Sequence, residues 1–321
     1  MEQVLVVEDL HVQFRTYEGI VHALEGVNLA VNRGEILGLV GETGCGKSVC
    51  ALSILRCLPE PGEIVKGRIL LEGENLLDKT EQEMLTIRGA KASMIFQDPT
   101  SSLNPVFTIG EQLVDVIRTH QAIGANEALK KAIEILKMVM IPDPDGAAKR
   151  YPHQLSRGMR QRVMIAMALS CKPVLLIADE PTTALDVTIQ AQILRLINDL
   201  REKLGASVLL ITHDLGVVSE TCSQVAVMYA GKIVEIGDIA SVLEKPRHPY
   251  TVGLLHSIPR MIRDKRPLGQ IRGTIPNLIN PPSGCRFHPR CDHTMEICKR
   301  KEAPLIDVGT GHRVSCFLYE G

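Results

Sequence analysis

Apolar and polar positions alternate in two stretches near the start of the chain, residues 4–14 and 20–31, both rich in Val, Leu and Ile. Successive side chains of a strand point to opposite faces, so this pattern predicts two strands. NRGE then leads into the apolar run ILGLVG, a short buried strand that passes straight into a glycine-rich loop, and a helix is expected to begin near Lys47. From about residue 100 to 170 the apolar spacing becomes mostly helical, as in EALKKAIEILKMVM, and this segment reads as a helical subdomain. Beyond Val174 the order is strand (VLLIAD), helix (about 187–203), strand (SVLLIT), helix start (HDLGVV), strand (QVAVMYA) and a hairpin-like AGKIVEIGD. Strands alternating with helices predict an α/β fold with a largely parallel sheet flanked by helices.

Near Pro246 the periodicity fades, Pro, Arg and His become frequent, and four of the nine cysteines lie beyond residue 284. The expected division is therefore 1–245 and 246–321, the second part being small and loop-rich. A length of 321 residues suits one large domain with a smaller appendage. Aromatic residues are scarce at 3% and Trp is absent, so the core must be aliphatic. A formal net charge of -1 offers no global footprint for nucleic acid, and no nucleic-acid partner is expected. The longest apolar runs, VLLIA and VLLIT, are strand-sized, far short of the roughly 20 residues that span a bilayer. The N-terminal MEQVLVVEDL is acidic where a signal peptide would be basic, which predicts a cytosolic chain. In that compartment the cysteines are expected to be thiols or metal ligands rather than disulfides.

The stretch GETGCGKS fits the phosphate-loop pattern G-x-x-x-x-G-K-[ST]. Its residues Gly41, Glu42, Thr43, Gly44, Cys45 and Gly46 would surround nucleotide phosphates with backbone N–H groups, Lys47 would reach the β/γ oxygens, and Ser48 would ligate Mg²⁺. VLLIADE ends an apolar strand in two carboxylates; Asp179 suits holding Mg²⁺ through water and Glu180 suits polarising an attacking water. His213 follows the next strand, so a parallel sheet would carry it to the same carboxyl edge, in reach of a γ-phosphate. The fold class expected is a P-loop NTPase. Cys45 inside the loop would expose nucleotide binding to oxidation.

Residues 4–240 resemble the ATP-binding subunits of ABC transporters, and the specific element is LSRGMRQR at 155–162, placed where the ABC signature would be. Simple P-loop GTPases and kinases lack it. The resemblance implies ATP as the nucleotide, Gln97 in MIFQDP as the Q-loop residue that senses Mg²⁺ and the membrane partner, and TALD at 183–186 as a D-loop ending in Asp186. It implies Tyr17 as the aromatic that stacks on adenine, with Phe14 as a rival. It also implies a head-to-tail dimer in which Ser156 and Gly158 of the signature face the nucleotide held by the other subunit. Binding ATP only in the closed dimer would drive a conformational cycle. One departure stands out: Arg157 occupies the position where the family has glycine. It adds bulk near phosphate but also brings a cation to an anion; either it impairs the partner's ATP site or it points away.

RHPYTVGLLHSIPR at 247–260 and GCRFHPRC at 284–291 resemble the C-terminal region of dipeptide and oligopeptide importer ATPases, which extends the resemblance over essentially the whole chain. It implies an energy-coupling ATPase of peptide import, peripheral at the cytoplasmic face of the cell membrane. The partners implied are a second, paralogous ATPase chain, integral membrane permease subunits and, indirectly, an extracytoplasmic solute-binding protein. Nickel or sugar as solute stays open. A soluble ABC ATPase without a transport role would be expected to show two cassettes, a coiled coil or basic extensions. Cys285, Cys291, Cys298 and Cys316 are spaced C-x5-C-x6-C-x17-C, and four thiolates suit an iron–sulfur cluster or tetrahedral Zn²⁺. The spacing departs from C-x2-C zinc ribbons; the resemblance implies [4Fe–4S]. His248 and Tyr250, either side of Pro249, read as parts of a packed linker.

Overall fold

The computed structural model describes residues 2–183, 185–257, 271–309 and 311–320; Ala184 of the TALD stretch and residues 258–260 of RHPYTVGLLHSIPR lie outside the described residues. The chain forms two units, one from Met1–Val4, Asn32–Glu35 and Asp78–Leu209, the other from Leu5–Val31, Ile36–Leu77 and Leu210–Gly321. The strand Ser207–Thr212 runs across the division.

In the first unit the strands Ala92–Ile95 and Leu175–Asp179 pair in parallel, with Ile95 opposite Ala178. Every residue of both is buried, which is why they read as continuous apolar runs rather than alternating ones. The helical stretch resolves into Ile109–His120 and Ala125–Met138, which pack on each other, and Arg157–Leu169, which packs on both. Helix Ile109–His120 starts at a capping box: Glu111 N–H donates to the Thr108 hydroxyl at 3.3 Å while the Glu111 carboxylate accepts from Thr108 N–H at 2.7 Å. Ile109, Leu113 and Ile117 recur every four residues and are fully buried, as are Ala128, Ala132 and Leu136 on its neighbour. Helix Val187–Leu204 ends at Gly205, whose φ of 69° is the left-handed conformation that stops a helix.

In the second unit Gln3–Thr16 and Gly19–Asn32 form a long hairpin, extended by Gly62–Leu71 and Glu74–Asn75. Separately, Ile36–Val40 lies parallel to Gln224–Tyr229, and Gln224–Tyr229 turns back antiparallel into Lys232–Asp238. The turn is Ala230–Gly231, both with positive φ (48° and 80°), the two-residue geometry whose twist matches a hairpin. A Cβ at Gly231 would come 2.4 Å from the Ala23 carbonyl oxygen, so glycine is obligatory there. The hairpin-like AGKIVEIGD is thus a true hairpin, and it adds antiparallel pairing to the parallel strands, because a two-residue connection can only join antiparallel strands. His312–Val314 then pairs with Lys232–Asp238, Val314 opposite Glu235, and Ile306–Gly309 pairs outside it. The expected loop-rich C-terminal region therefore adds two short strands, too brief to show a period of two in the sequence. Among the described residues the buried aromatic side chains are Tyr229, Tyr250 and Phe287, and the rest of the apolar core is aliphatic or sulfur-bearing. No helix among the described residues is long and apolar enough to cross a membrane.

Candidate functional site

The strand Ile36–Val40, wholly buried, ends at Gly41, and helix Lys47–Ile54 begins after Gly46. Reversing from strand to helix in so few residues forces glycine at both ends: a Cβ on Gly41 would lie 2.2 Å from the Met228 carbonyl oxygen, and Gly46 sits at φ 110° with Leu24 2.8 Å from any Cβ. Lys47 is buried and its ammonium donates to the carbonyls of Gly41 (2.8 Å) and Glu42 (3.1 Å), closing the loop on itself. Thr43, Gly44 and Ser48 are exposed at its mouth. Cys45 is fully buried, and burial raises its thiol pKa despite the nearby Lys47 cation. A buried, protonated thiol resists oxidation, which removes the basis for expecting peroxide sensitivity there.

Glu42 carries contacts that sequence reasoning missed. Its backbone N–H donates to the Tyr250 hydroxyl at 2.8 Å, and its carboxylate accepts two bonds from Arg290 at 2.9 and 3.1 Å. His248, expected with Tyr250 to belong to a packed linker, is buried and caps helix Pro249–His256 by accepting from Tyr250 N–H at 3.1 Å. In the same unit His213 is exposed between the strand end Thr212 and Asp214, which caps helix Leu215–Thr221. Tyr17 is fully exposed in the turn of the long hairpin, whereas Phe14 is half-buried.

In the first unit Asp179 is buried at the end of its strand and Glu180 follows it at φ 45°. A left-handed glutamate costs of order 1–3 kcal/mol and persists only where surroundings hold it. They do: the Glu180 carboxylate accepts from Gln97 Nε2 and from the Thr183 hydroxyl, each at 2.8 Å. Gln97 and Glu180, singled out separately in the sequence, are thus one hydrogen-bonded group.

Ser156 caps helix Arg157–Leu169, its hydroxyl accepting from Met159 N–H at 3.3 Å; a hydroxyl that accepts can still donate. Asp186 caps helix Val187–Leu204 by accepting from Ile189 N–H at 2.9 Å. At Gly158 an added Cβ would meet only Ile189, at an ordinary 3.5 Å, so packing within the chain does not demand glycine. Arg157 turns back on its own chain, its guanidinium 3.5 Å from the Thr183 carbonyl oxygen.

Cys285, Cys291, Cys298 and Cys316 line one small pocket, walled by Phe287, Phe317 and Leu318. Burial pushes the Cys285 thiol up to about 11 and raises Cys291 and Cys316 as well. Among the described residues no group of three or more His, Cys, Asp or Glu side chains is placed to hold a metal ion. The four thiols share a cavity without converging on a single ion, whereas tetrahedral Zn²⁺ with bonds of about 2.3 Å would draw them to within about 4 Å of each other. Three histidines, His248, His288 and His293, line the same pocket.

Residues 24–183 match the family model described as ABC transporter, and residues 234–298 the model described as Oligopeptide/dipeptide transporter, C-terminal region. The chain is similar to the probable peptide ABC transporter ATP-binding protein y4tR of Sinorhizobium fredii, 50% identical over 98% of this chain and 94% of that protein. It is similar to the dipeptide transport ATP-binding protein DppD of Bacillus subtilis, 49% identical over 100% of this chain and 96% of that protein. Among solved structures, the ATP-binding cassette MJ0796 bound to ADP and Pi superposes with a TM-score of 0.66 at 28% identity, covering 73% of this chain and 98% of that one. With both models matched in order and about half of all residues shared along the full length, this chain belongs to the ATP-binding proteins of the ABC transporter family, in the branch that carries the oligopeptide/dipeptide transporter C-terminal region.

Proposed function

We propose that this ABC-type ATPase couples ATP hydrolysis to import of di- and oligopeptides, acting at the cytoplasmic face of the membrane with permease subunits, a paralogous second ATPase chain and, indirectly, an extracytoplasmic solute-binding protein. The observation that carries the peptide reading is the C-terminal region, matched over residues 234–298 and shared end to end with relatives named for peptide and dipeptide transport.

In this reading Gly41, Glu42, Thr43, Gly44, Cys45 and Gly46 form the phosphate cradle, and Lys47 exchanges its bonds to loop carbonyls for the β/γ-phosphates. Ser48, Gln97 and, through water, Asp179 hold Mg²⁺, which when bound supplies charge neutralisation on the transferring phosphoryl group. Glu180, held by Gln97 and Thr183, orients the attacking water and draws its proton, so that the oxygen attacks in line with the departing β–γ bond. His213 contacts the γ-phosphate and Tyr17 stacks on adenine. Ser156, Gly158 and Asp186 face the nucleotide of the second ATPase chain; a glycine that its own chain does not require supports a close approach from outside. Cys285, Cys291, Cys298 and Cys316 hold a [4Fe–4S] cluster, a reading supported by four thiols around one pocket.

The test is ATP-driven uptake of short peptides in vesicles carrying the assembled transporter, with Lys47→Ala in this chain as the inactive control. Uptake of nickel or a sugar without peptide would sink the peptide reading and leave the ATPase intact. Anaerobically purified chain should contain about four iron and four sulfide; zinc alone would overturn the cluster.

A further inference from the structure

The geometry points to Tyr250 and Arg290 as positioning residues for the phosphate loop: together they hold Glu42 by its backbone and by its carboxylate, and so set the affinity for ATP. The inference rests on the reading of residues 41–48 as the loop that receives ATP, and goes beyond it by assigning the C-terminal region a part in nucleotide binding.

A glycine-rich loop has little side-chain packing of its own. Here the order comes from behind. Tyr250 is fully buried, and its hydroxyl fixes the Glu42 amide at 2.8 Å. Arg290, 7% exposed, grips the Glu42 carboxylate with both terminal nitrogens, the bidentate geometry that fixes direction as well as distance.

Arg290 is itself immobilised. Its Nε donates to the Arg272 carbonyl at 2.8 Å, and its guanidinium lies over the Tyr229 ring at 5.6 Å and the Phe287 ring at 6.0 Å. Tyr229, Tyr250 and Phe287 are in mutual ring contact, with centroids 4.6, 5.1 and 5.4 Å apart. The chain has only five Tyr and five Phe and no Trp, yet three of them form the platform under this one loop. Such a platform makes the clamp rigid, and a rigid loop binds without first having to be ordered.

Charge gives a second, independent role. A carboxylate in a loop that receives a polyphosphate would repel it, and the repulsion grows as water is excluded. Arg290 cancels that charge. Removing the arginine should therefore do two kinds of harm, loosening the loop and baring the Glu42 charge, whereas removing both partners does only the first.

The test is titration of full-length, anaerobically purified protein with a fluorescent ATP analogue, together with KM and kcat for ATP in the assembled transporter. Tyr250→Phe, which removes only the hydroxyl, should weaken ATP binding about fivefold, and Arg290→Gln about tenfold or more. In both, KM should rise while kcat at saturating ATP stays within about twofold. Glu42→Gln combined with Arg290→Gln should bind ATP more tightly than Arg290→Gln alone, an outcome that a purely structural role for Arg290 would not give. Should Arg290→Gln fail to fold, Tyr250→Phe carries the test. Affinities within about twofold of wild type for Tyr250→Phe and Arg290→Gln, or a fall in kcat at unchanged KM, overturn the inference. Lys47→Ala keeps the two levels apart: if it binds ATP like wild type, the loop reading itself fails, and if it alone loses binding, only the clamp does.

Discussion

Glu235 sits in the middle of strand Lys232–Asp238 with its side chain wholly buried. Its carboxylate accepts from Arg247 N–H at 2.7 Å, His248 N–H at 2.9 Å and His312 Nε2 at 2.7 Å. Two of those donors lead into helix Pro249–His256 and the third stands on strand His312–Val314, so one side chain ties both ends of the C-terminal region to the hairpin strand. Replacing Glu235 by Met keeps the volume and removes every acceptor. Two buried donors and one partly buried one then lose their partner, the buried ones at about 1–3 kcal/mol each, and with relaxation and water entry recovering part of that, the loss should be about 3–5 kcal/mol. Glu235→Ala should lose a similar amount or slightly more, since a cavity is added. The assay is urea denaturation of anaerobically purified protein, with the rate of trypsin cleavage in the C-terminal region as a local readout. A Glu235→Met variant within about 1 kcal/mol of wild type would refute the reasoning, because it would mean that packing rather than hydrogen bonding anchors the region.

Burial holds His248 neutral in the folded chain, its pKa pushed from 6.5 to about 3. The unfolded chain takes up the proton first, so the stabilisation is complete above about pH 6.5 and is lost as pH falls towards 3, with about 2 kcal/mol gone by pH 5. His248→Asn keeps a capping acceptor and does not titrate; it should flatten the denaturation midpoint between pH 7 and 5, and an unchanged slope would refute the assignment. Glu180→Gln should lower turnover at its own site by at least about a hundredfold while ATP stays bound in closed dimers, as read by nucleotide trapping; retained turnover would remove Glu180 from the chemistry. Arg157→Gly removes a long, exposed bond to the Thr183 carbonyl and a weak attraction to the exposed Asp98, so the ATPase rate of the assembled transporter should change less than about fivefold. A tenfold rise would show that the arginine obstructs the partner's site.

What could be read from the sequence was local. The phosphate loop is contiguous, and its glycines, lysine and serine declare their chemistry by spacing alone. Asp179 and Glu180 could be found because an apolar strand must end somewhere, and two carboxylates at its end are unusual. The helices announced themselves through apolar positions three and four apart. Three features stayed hidden for physical reasons. Tyr250 and Arg290 lie 208 and 248 residues from Glu42, and no local pattern reports a contact that only the folded chain creates. The strands Ile306–Gly309 and His312–Val314 escaped notice because runs of four and three residues are too brief to show a period of two. Glu235 sits where alternation would allow either face, and only its three donors show why a carboxylate is buried there.

The strand His312–Val314 lies beside Lys232–Asp238, yet the ribosome makes it roughly 70 residues later. At about 5–20 residues per second the hairpin waits about 4–14 s for that neighbour. During this interval the outer edge of Lys232–Asp238 presents backbone groups that any extended chain could pair with. Nascent protein is therefore most exposed to misassembly late in synthesis, when most of the phosphate-binding unit already exists, and a premature stop before His312 leaves that edge open for the lifetime of the product.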